Sequence, residues 1–230
     1  MEKIEGIVYD LDGLLADSLP VHTSARLAAF ESVGLSGVDQ AIHDQAHEHG
    51  MTPNEIIGWV LQQVGAVAPD VDLRTDSFVN EVVALKRQAF HDLAAEGLPA
   101  VDGALDCIEF AVKRWGRLAI ATTGEYAIDV LPYIRRHNLE GVFMAIVTKD
   151  DTPEGMTKPH KFPFQEAAAR LGFVANQGGI IGIDDHPSGI VSANAAGLYS
   201  VGLTTTHAAE QLGESRLVLP GHAAFIAHFS

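Results

Sequence analysis

The chain is poor in cysteine, in basic residues and in long apolar runs. Cys107 is its one cysteine, so no internal disulfide can form, and such usage is typical of a reducing compartment. The 15 lysines and arginines face 30 acidic residues, and the formal net charge of -15 disfavours nucleic acid and anionic membrane surfaces as partners. No apolar stretch approaches the roughly 20 residues that span a bilayer. Met1-Glu2-Lys3 leads directly into a predicted strand without space for a signal peptide, and we expect a cytoplasmic protein.

What is present is the composition of a globular protein. Hydrophobic residues make up 47% of the 230 positions and charged residues 20%, which argues against a disordered chain. This length suits one large domain, or a main domain that carries an insert. Cys107 lies among Leu105, Ile108 and Phe110, and we interpret it as a small core residue rather than a nucleophile.

Helical patterns occupy the chain from residue 19 to about residue 98, and the pattern of apolar residues changes after that. In the first part, helices are predicted over residues 22–33, 42–50, 54–64 and 76–93. After Pro99, apolar strands alternate with helices. Strands are predicted over residues 4–9, 118–121, 142–147, 179–183, 198–201 and 217–219. Helices are predicted over residues 103–115, 126–137, 162–171, 187–196 and 208–212, with one more at the end of the chain.

This alternation predicts an α/β fold with a doubly wound parallel, Rossmann-like sheet. The helical stretch interrupts that fold just after its first strand and is long enough to form a small bundle of its own. We therefore predict a core domain formed by residues 1–16 and 99–230, and an inserted helical domain formed by residues 17–98.

The first predicted strand ends in two acidic residues, Asp10 and Asp12, followed by Gly13. In an open α/β sheet, ligands bind at the carboxyl ends of the strands. Two carboxylates there can hold a divalent cation, or one can attack an electrophile while the other transfers protons. Gly13 lets the backbone turn without a Cβ clash. The same residues would also suit a strand that ends in an acidic Asx turn.

Three further polar clusters follow later strands. Thr122-Thr123-Gly124 comes directly after a strand, where hydroxyls and amides suit either an anion site or a helix cap. Lys158-Pro159 follows a polar loop and is a weak signal alone. Asp184-Asp185 ends another apolar strand, and since buried carboxylates need partners, a cation shared with Asp10 would supply one. Capping of the next helix would account for one of these two acids but hardly for both.

The order of the four clusters resembles the haloacid dehalogenase superfamily of phosphohydrolases. The resemblance covers nearly the whole chain. It is greatest to the branch that includes β-phosphoglucomutase and phosphoglycolate phosphatase, whose helical cap domain is inserted after the first strand. Residues 184–190 resemble the family pattern Glu-Asp-Ser-Pro-Ser-Gly-Ile, with Asp184 in place of the glutamate and His186 in place of the first serine.

The resemblance implies a role for each cluster. Asp10 would be the nucleophile, and Asp12 would protonate the leaving oxygen and later deprotonate the attacking water. The Thr122 hydroxyl, the Thr123 amide and the Lys158 ammonium would hold the non-bridging oxygens of the phosphoryl group. The substrate or phosphate contacts that we expect are Gly13, His22, Gly50, Thr123 and Gly124.

The resemblance also implies a magnesium ion. Asp10, the backbone carbonyl of Asp12 and Asp185 would bind it, with Asp184 helping directly or through water. The charges support this expectation, because several carboxylates would repel each other and a phosphate unless a cation lay between them.

Within the insert, the resemblance singles out His22 and Gly50. His22 matches a histidine that links closure of the cap to catalysis in β-phosphoglucomutase, although a solvated or capping histidine would explain it as well. Gly50 matches the glycine of the cap's specificity loop. Pro53 stands where the mutases carry an arginine that grips a second phosphate, and this favours hydrolysis over phosphoryl transfer between sugar positions.

Two other groups in the insert have a simpler explanation. Lys86 and Arg87 could meet an anionic substrate, but a solvated helix face is the better interpretation. His43 and His47 are four residues apart and could bracket a metal ion, but a solvated polar face is again the better interpretation.

The sequence therefore predicts a magnesium-dependent phosphatase that acts on a small phosphorylated metabolite, such as a sugar phosphate or a short phospho-acid. The alternatives are a phosphomutase and a non-catalytic binding protein on the same fold. A dehalogenase is disfavoured because that branch has no acid at the position of Asp12. A phosphonatase would need a cap lysine poised to form a Schiff base, and none can be assigned. We expect a monomer or a small homo-oligomer.

Overall fold

The structure, a computed structural model, describes residues 3–35, 38, 59, 60, 63, 76–173 and 179–230. The chain divides into two compact units. Met1–Ser18 and Glu96–Ser230 form the first unit, and Leu19–Ala95 form the second. None of the helices in the described part of the chain has the length and apolarity that crossing a bilayer requires.

A parallel sheet organises the first unit. Its described strands are β1 (Gly6–Tyr9), β2 (Leu118–Ala121), β3 (Ala145–Val147), β4 (Ile180–Asp184), β5 (Tyr199–Leu203) and β6 (Leu217–Leu219). They lie in the order β3-β2-β1-β4-β5-β6, with every neighbouring pair parallel. The two central strands, β1 and β4, are buried along their whole length. Near-continuous apolar runs such as these are typical of parallel strands, which are covered on both faces.

Helices cover both faces of this sheet. The described α-helices of the first unit are α3 (Ala104–Arg114), α4 (Leu131–Arg136), α5 (Phe162–Arg170), α6 (Pro187–Ala195) and α7 (His222–Phe229), while α1 (Leu19–Ser32) and α2 (Asp76–Ala94) belong to the second unit. Successive strand residues point to opposite faces. Val8 belongs to the core cluster that contains Phe164 of α5, whereas the Tyr9 hydroxyl lies 3.8 Å from Cys107 Sγ of α3. The doubly wound α/β fold is therefore confirmed, and Cys107 is a buried core residue.

Three predicted elements need correction. Residues 208–212 form turns rather than a helix, because so short a segment gains too few hydrogen bonds to offset helix nucleation. The strand predicted over residues 142–147 is limited to β3, which is an edge of the described sheet and follows a turn at Gly141. The helix predicted over residues 126–137 begins as a π-helical turn, Tyr126–Val130, before α4. Pro132 explains this break, since it has no N–H for an α-helical bond and fits the first turn of a new helix.

The chain leaves the first unit and returns to it along two adjacent segments. The Asp17 amide donates to the Pro99 carbonyl at 2.8 Å, and the Val101 amide donates to the Leu15 carbonyl at 2.9 Å. Ala16 and Ala100 form an antiparallel bridge between these two bonds. The outgoing and returning segments are therefore hydrogen-bonded to each other.

The second unit is built on the pair α1 and α2. Phe30 of α1 and Val82 of α2 are buried together, with Val60 in the same apolar cluster. Such a stripe of apolar side chains is what an amphipathic helix pair buries. The predicted helix over residues 76–93 is confirmed as α2. The helix predicted over residues 42–50 and most of the one over residues 54–64 lie outside the described residues.

Candidate active site

The end of β1 delivers Asp10 into the interior of the protein. The Asp10 amide donates to the Ile183 carbonyl at 2.9 Å, which extends the β1–β4 ladder by one residue and fixes where the carboxylate emerges. The backbone then turns sharply at Gly13, whose φ is 81°. The Gly13 amide donates to the Ala16 carbonyl at 2.8 Å and closes a tight loop directly behind the two acids. Asp10 and Asp12 therefore lie in an ordered, hydrogen-bonded loop at the carboxyl end of a central strand.

Lys158 connects the acid of β1 with an acid of β4. Its ammonium donates to Asp10 Oδ1 and, at 2.8 Å, to Asp184 Oδ2. The Lys158 side chain is 6% exposed, and its ammonium lies 4.8 Å from the centre of the Phe164 ring. Burial lowers the pKa of Lys158, but the two carboxylates more than offset this and hold the pKa above its ordinary value. Lys158 is therefore charged, and the isolated Lys-Pro signal of the sequence marks a buried ion pair.

The second acid pair lies at the end of β4. Asp184 and Asp185 are both buried. Asp184 Oδ1 accepts the backbone N–H of His186 at 2.9 Å, while its other oxygen accepts from Lys158. The N-cap of α6 is His186, whose Nδ1 accepts the Ser188 amide at 3.1 Å. Neither acid is therefore needed to cap that helix, and the capping explanation of the pair is wrong.

Three carboxylates meet in one cluster. Oxygens of Asp10, Asp184 and Asp185 all lie within 4.8 Å of one another. Burial and the neighbouring Asp184 raise the pKa of Asp185 to about 8. Burial, with the nearby acids, also raises the pKa of Asp10, although Lys158 opposes the shift. One ammonium does not balance three buried acids, so the cluster would bind protons unless another cation entered.

This donor set fits a magnesium ion. Carboxylate oxygens are the hard ligands that Mg²⁺ prefers. Asp185 Oδ1 is buried and has no hydrogen-bond partner among the described residues. Burial without a partner costs free energy, so an inward-facing carboxylate oxygen of this kind suits a cation ligand. Asp184 differs from Asp185, since both of its oxygens already accept hydrogen bonds.

Thr122 brings the end of β2 to Asp12. Its hydroxyl donates to Asp12 Oδ2 at 3.3 Å and accepts the Gly124 amide at 3.0 Å. Thr122 is buried, whereas Thr123 is exposed and Gly124 is half-buried. The helical turn that follows has Glu125 as its N-cap, so Thr122 is not a helix cap. The structure therefore gathers Asp10, Asp12, Thr122, Lys158 and the acid pair at the carboxyl ends of β1, β2 and β4.

Two residues of this site were missed by the sequence analysis. Thr206 and His207 follow β5, and the Thr206 hydroxyl donates to Asp185 Oδ2. His207 Nδ1 lies 2.8 Å from the same hydroxyl oxygen, and its ring meets the His186 ring edge to face at 4.5 Å. Burial lowers the pKa of both histidines and favours their neutral forms. A signal was present, because a Thr-Thr-Thr-His run directly follows an apolar strand in the sequence.

The same neighbours explain why position 13 is glycine. A Cβ added to Gly13 would lie 2.6 Å from Asp185 Oδ2 and 2.8 Å from Thr206 Cγ2. Such distances are too short for atoms that are not bonded, and the positive φ also disfavours any side chain. Glycine at position 13 is therefore needed both for the turn and for the close approach of Asp185, which follows β4.

Of the residues that the sequence analysis singled out in the insert, His22, Lys86 and Arg87 are described by the structure. His22 lies on α1, where its Nδ1 is 3.0 Å from Lys86 Nζ and its ring stacks on Phe90 at 4.1 Å. Lys86 is half-buried and lies 5.0 Å from the centre of the Phe90 ring, so it is not part of a solvated face, whereas Arg87 is exposed. His22 is half-buried, and both of its contacts given above are with α2. Gly50, Pro53, His43 and His47 lie outside the described residues.

A cavity lies at the amino ends of the strands, opposite the acid cluster. Its volume is about 530 Å³, and its lining includes Lys3 and Glu5 before β1, Arg117 before β2, and Arg114 and Trp115 at the end of α3. These charged side chains are exposed to solvent. The buried acids and this cavity therefore occupy opposite ends of the strands.

Comparison with protein families and with named proteins agrees with this geometry. A family model described as haloacid dehalogenase-like hydrolase matches residues 7–203. The chain is 29% identical over 214 residues to the validoxylamine A 7'-phosphate phosphatase of Streptomyces hygroscopicus subsp. limoneus, covering 92% of this chain and 91% of that protein. It is 26% identical over 216 residues to the phosphoglycolate phosphatase of Salmonella paratyphi A, covering 89% of this chain and 82% of that protein.

Solved structures share the fold. The crystal structure of a predicted phosphoglycolate phosphatase from Haemophilus somnus 129pt superposes with a TM-score of 0.80 and covers all of both chains, at 18% identity. At this identity the likeness concerns the fold alone.

Proposed function

Because the chain belongs to the haloacid dehalogenase-like hydrolase family, we propose that it is a phosphatase that hydrolyses phosphomonoesters of small metabolites. The observation that carries the proposal is the convergence of Asp10, Lys158, Asp184 and Asp185 in one buried cluster. Asp10 lies more than a hundred positions from the other three in the sequence. Burial of these charges together destabilises the fold unless it serves a bound cation and anion.

A magnesium ion would be held by the carboxylates of Asp10 and Asp185 and by the backbone carbonyl of Asp12. Asp184 would act on it from a distance, because both Asp184 oxygens are already engaged by Lys158 and by the His186 amide. Its contribution to the reaction would be to neutralise charge on the phosphoryl oxygens. The open Asp185 oxygen supports this assignment.

In the first half of the reaction, an Asp10 oxygen would attack phosphorus. The bond from phosphorus to the leaving oxygen breaks, and the carboxylic acid of Asp12 transfers its proton to that oxygen. The products are a neutral alcohol, an aspartyl-phosphate on Asp10 and the carboxylate of Asp12. The Thr122 hydroxyl, which contacts Asp12 Oδ2, would keep this carboxyl group oriented toward the leaving group.

In the second half, the Asp12 carboxylate would take a proton from water while the water oxygen attacks phosphorus. The bond between phosphorus and Asp10 breaks, which releases phosphate and restores both acids. Lys158 would stabilise the non-bridging oxygens in both halves, exchanging part of its contact with Asp10 for the phosphoryl group. The Thr123 amide and the backbone at Gly13 and Gly124 would complete the phosphate site.

The substrate class follows from the relatives and from the insert. The two named relatives are phosphatases of validoxylamine A 7'-phosphate and of phosphoglycolate. We assign substrate selection to the inserted domain, residues 17–98, with His22 and Gly50 as its candidate contacts. A phosphomutase is the second candidate, but Pro53 replaces the cation that would retain a doubly phosphorylated intermediate.

The test is a panel of sugar phosphates, polyol phosphates and phospho-acids, assayed for phosphate release with Mg²⁺ and with EDTA. We expect turnover that requires Mg²⁺ and falls by at least about 10³-fold in Asp10→Asn, because the amide is no nucleophile. Asp106→Asn, at an exposed position on α3, is the matched control and should keep full activity.

Three outcomes would contradict the proposal. Isomerised sugar phosphate with little free phosphate would indicate the mutase. Activity that survives in a folded Asp10→Asn variant would remove Asp10 as nucleophile. A wild type that binds phosphorylated metabolites without turning any of them over would indicate a binding protein.

A further inference from the structure

The loop after β5 reaches the acid cluster through one side chain, Thr206. Its hydroxyl donates to Asp185 Oδ2, and its methyl carbon borders the space beside Gly13. The Thr204 amide donates to the Leu219 carbonyl of β6 at 3.0 Å, which anchors the base of this loop to the sheet. The loop is therefore held in place by backbone bonds and presents a hydroxyl to a buried carboxylate.

The direction of the hydrogen bonds along this path is determined by the number of protons. A threonine hydroxyl has one proton, and Thr206 donates it to Asp185 Oδ2. The oxygen of Thr206 must then accept from its other neighbour, so His207 Nδ1, 2.8 Å away, carries a proton and donates it. The edge-to-face contact with His186 holds the His207 ring in position. The result is a chain of two hydrogen bonds that runs from His207 through Thr206 to Asp185.

Asp185 is thereby held by one oxygen and open at the other. Thr206 binds Oδ2, while Oδ1 is buried without a hydrogen-bond partner among the described residues. A carboxylate that rotates freely about its last side-chain bond would present either oxygen to a cation. One that is anchored at Oδ2 presents only Oδ1.

We propose that Thr206 and His207 are positioning residues for the metal ligand Asp185. The inference rests on the proposed magnesium site and extends it to a loop that the sequence motifs do not include. Partners that orient a ligand are known to change metal affinity by about 10- to 100-fold when they are removed. Both residues would act on the cation through Asp185, and neither would touch the substrate.

The experiment measures Mg²⁺ binding to the metal-free protein by isothermal titration calorimetry, without substrate. Thr206→Val keeps the shape of the side chain and removes the hydroxyl. We expect its dissociation constant for Mg²⁺ to rise about 10- to 100-fold. Thr206→Ser restores the hydroxyl and should stay within about 3-fold of wild type. His207→Phe keeps a ring against His186 and removes the N–H, and we expect a smaller rise of about 3- to 10-fold.

The preceding residue supplies a matched control. The Thr205 hydroxyl is buried and has no hydrogen-bond partner among the described residues, so Thr205→Val makes the same chemical change in the same loop. It should leave Mg²⁺ affinity unchanged. Melting temperatures in EDTA separate positioning from folding. Thr206 is an exposed residue in a loop whose base is held by backbone bonds, so its valine variant should remain fully folded at the temperature of the titration.

Unchanged Mg²⁺ affinity in Thr206→Val would overturn the inference, and so would an equal loss in Thr205→Val. Failure of Thr206→Ser to restore binding would also overturn it, because the hydroxyl would then not be the active group. A wild type that binds no Mg²⁺ would overturn the metal site together with this assignment. The phosphate-release panel judges the phosphatase proposal separately, since it records turnover rather than ion binding.

Discussion

The two ends of the parallel sheet carry charge in opposite ways. At the carboxyl end, Asp10, Asp184 and Asp185 are buried around Lys158, and burial raises the pKa of Asp10 and of Asp185. At the amino end, Lys3, Arg114 and Arg117 surround an open cavity of about 530 Å³ and remain in water. The same strands run to both ends, so the difference comes from the loops and side chains at each end.

The two ends therefore differ in how much their charged side chains affect the stability of the fold. An exposed ion pair such as Lys3–Glu5, with 3.6 Å between charged atoms, contributes at most about 1 kcal/mol. A buried cluster of like charges destabilises the fold, because each carboxylate loses its water. We therefore expect substitutions at the carboxyl end to change activity and stability strongly, and matched substitutions at the amino end to change little.

The largest effect is expected for Lys158→Met compared with Lys3→Met. Removing the buried ammonium leaves Asp10 and Asp184 without their shared cation, so the free energy of unfolding should fall by about 3–5 kcal/mol. The rate of phosphate release should also fall, by about 10²- to 10³-fold. Urea denaturation in EDTA and steady-state kinetics measure the two quantities. Lys3→Met should match wild type in both, and a comparable loss there would break the comparison.

The next effect compares two glycines with left-handed backbone. Gly13→Ala and Gly116→Ala both place a Cβ at positive φ, of 81° and 72°, which costs about 1–2 kcal/mol. Only at position 13 would the Cβ also meet Asp185 and Thr206, since at position 116 its nearest neighbour is the Val112 carbonyl at 3.7 Å. Gly13→Ala should therefore lose phosphatase activity and Mg²⁺ affinity, measured as above. Gly116→Ala should lose stability alone; equal activities would contradict this account.

A smaller effect, on stability alone, is expected for His222, a buried residue at the start of α7. Burial lowers the pKa of His222 to about 4, although the neighbouring Asp102 opposes the shift. Its pKa in the unfolded chain is about 6.5, so the unfolded state binds the proton first as the pH falls. The stability that neutral His222 contributes is complete above pH 6.5 and is lost toward pH 4.

Urea denaturation of wild type and His222→Gln at several pH values measures this loss. The difference between their unfolding free energies should shrink by about 2 kcal/mol from pH 7 to pH 4.5. Taking the difference cancels the contribution of the acid cluster, which both proteins share. A difference that does not vary with pH would show that His222 keeps an ordinary pKa.

The smallest effect is expected for Arg114→Gln at the amino end. Arg114 is exposed and lies 5.8 Å from the centre of the Trp115 ring, a contact worth about 0.5–1 kcal/mol at an exposed site. Thermal denaturation should detect at most that change, and phosphate release should stay at the wild-type rate. A clear change in rate would mean that the amino end is coupled to the active site, which would remove the contrast between the two ends.

The sequence predicted the sheet well because buried parallel strands have a strong local signal. The runs at Gly6–Tyr9 and Leu118–Ala121 are apolar throughout and end in polar residues, so both the strand and the position of the site can be inferred from them. The predicted group of Asp10, Lys158 and Asp184 depends on the same rule. Its detailed contacts depend on rotamers, which no spacing in a sequence specifies.

The errors have equally local causes. Residues 208–212 have good helix propensity, but the segment is short and its bonds are those of turns, so propensity alone was misleading. Thr206 and His207 were missed because they follow a strand in an irregular loop with no recognised motif. The rule that ligands bind at the carboxyl ends of strands would have included them, since β5 is the direct neighbour of β4.

The segments Leu15–Asp17 and Pro99–Val101 are hydrogen-bonded to each other, and this pairing has a consequence for how such a protein evolves. Because the two segments hold each other in place, the insert between them can lengthen, shrink or be exchanged while the backbone of the first unit stays connected. With substrate selection assigned to the insert, as proposed above, a mutation in the insert would alter which molecules are selected, and a mutation in the first unit would alter the reaction itself. Under that assignment, selectivity and chemistry would be inherited as separable traits.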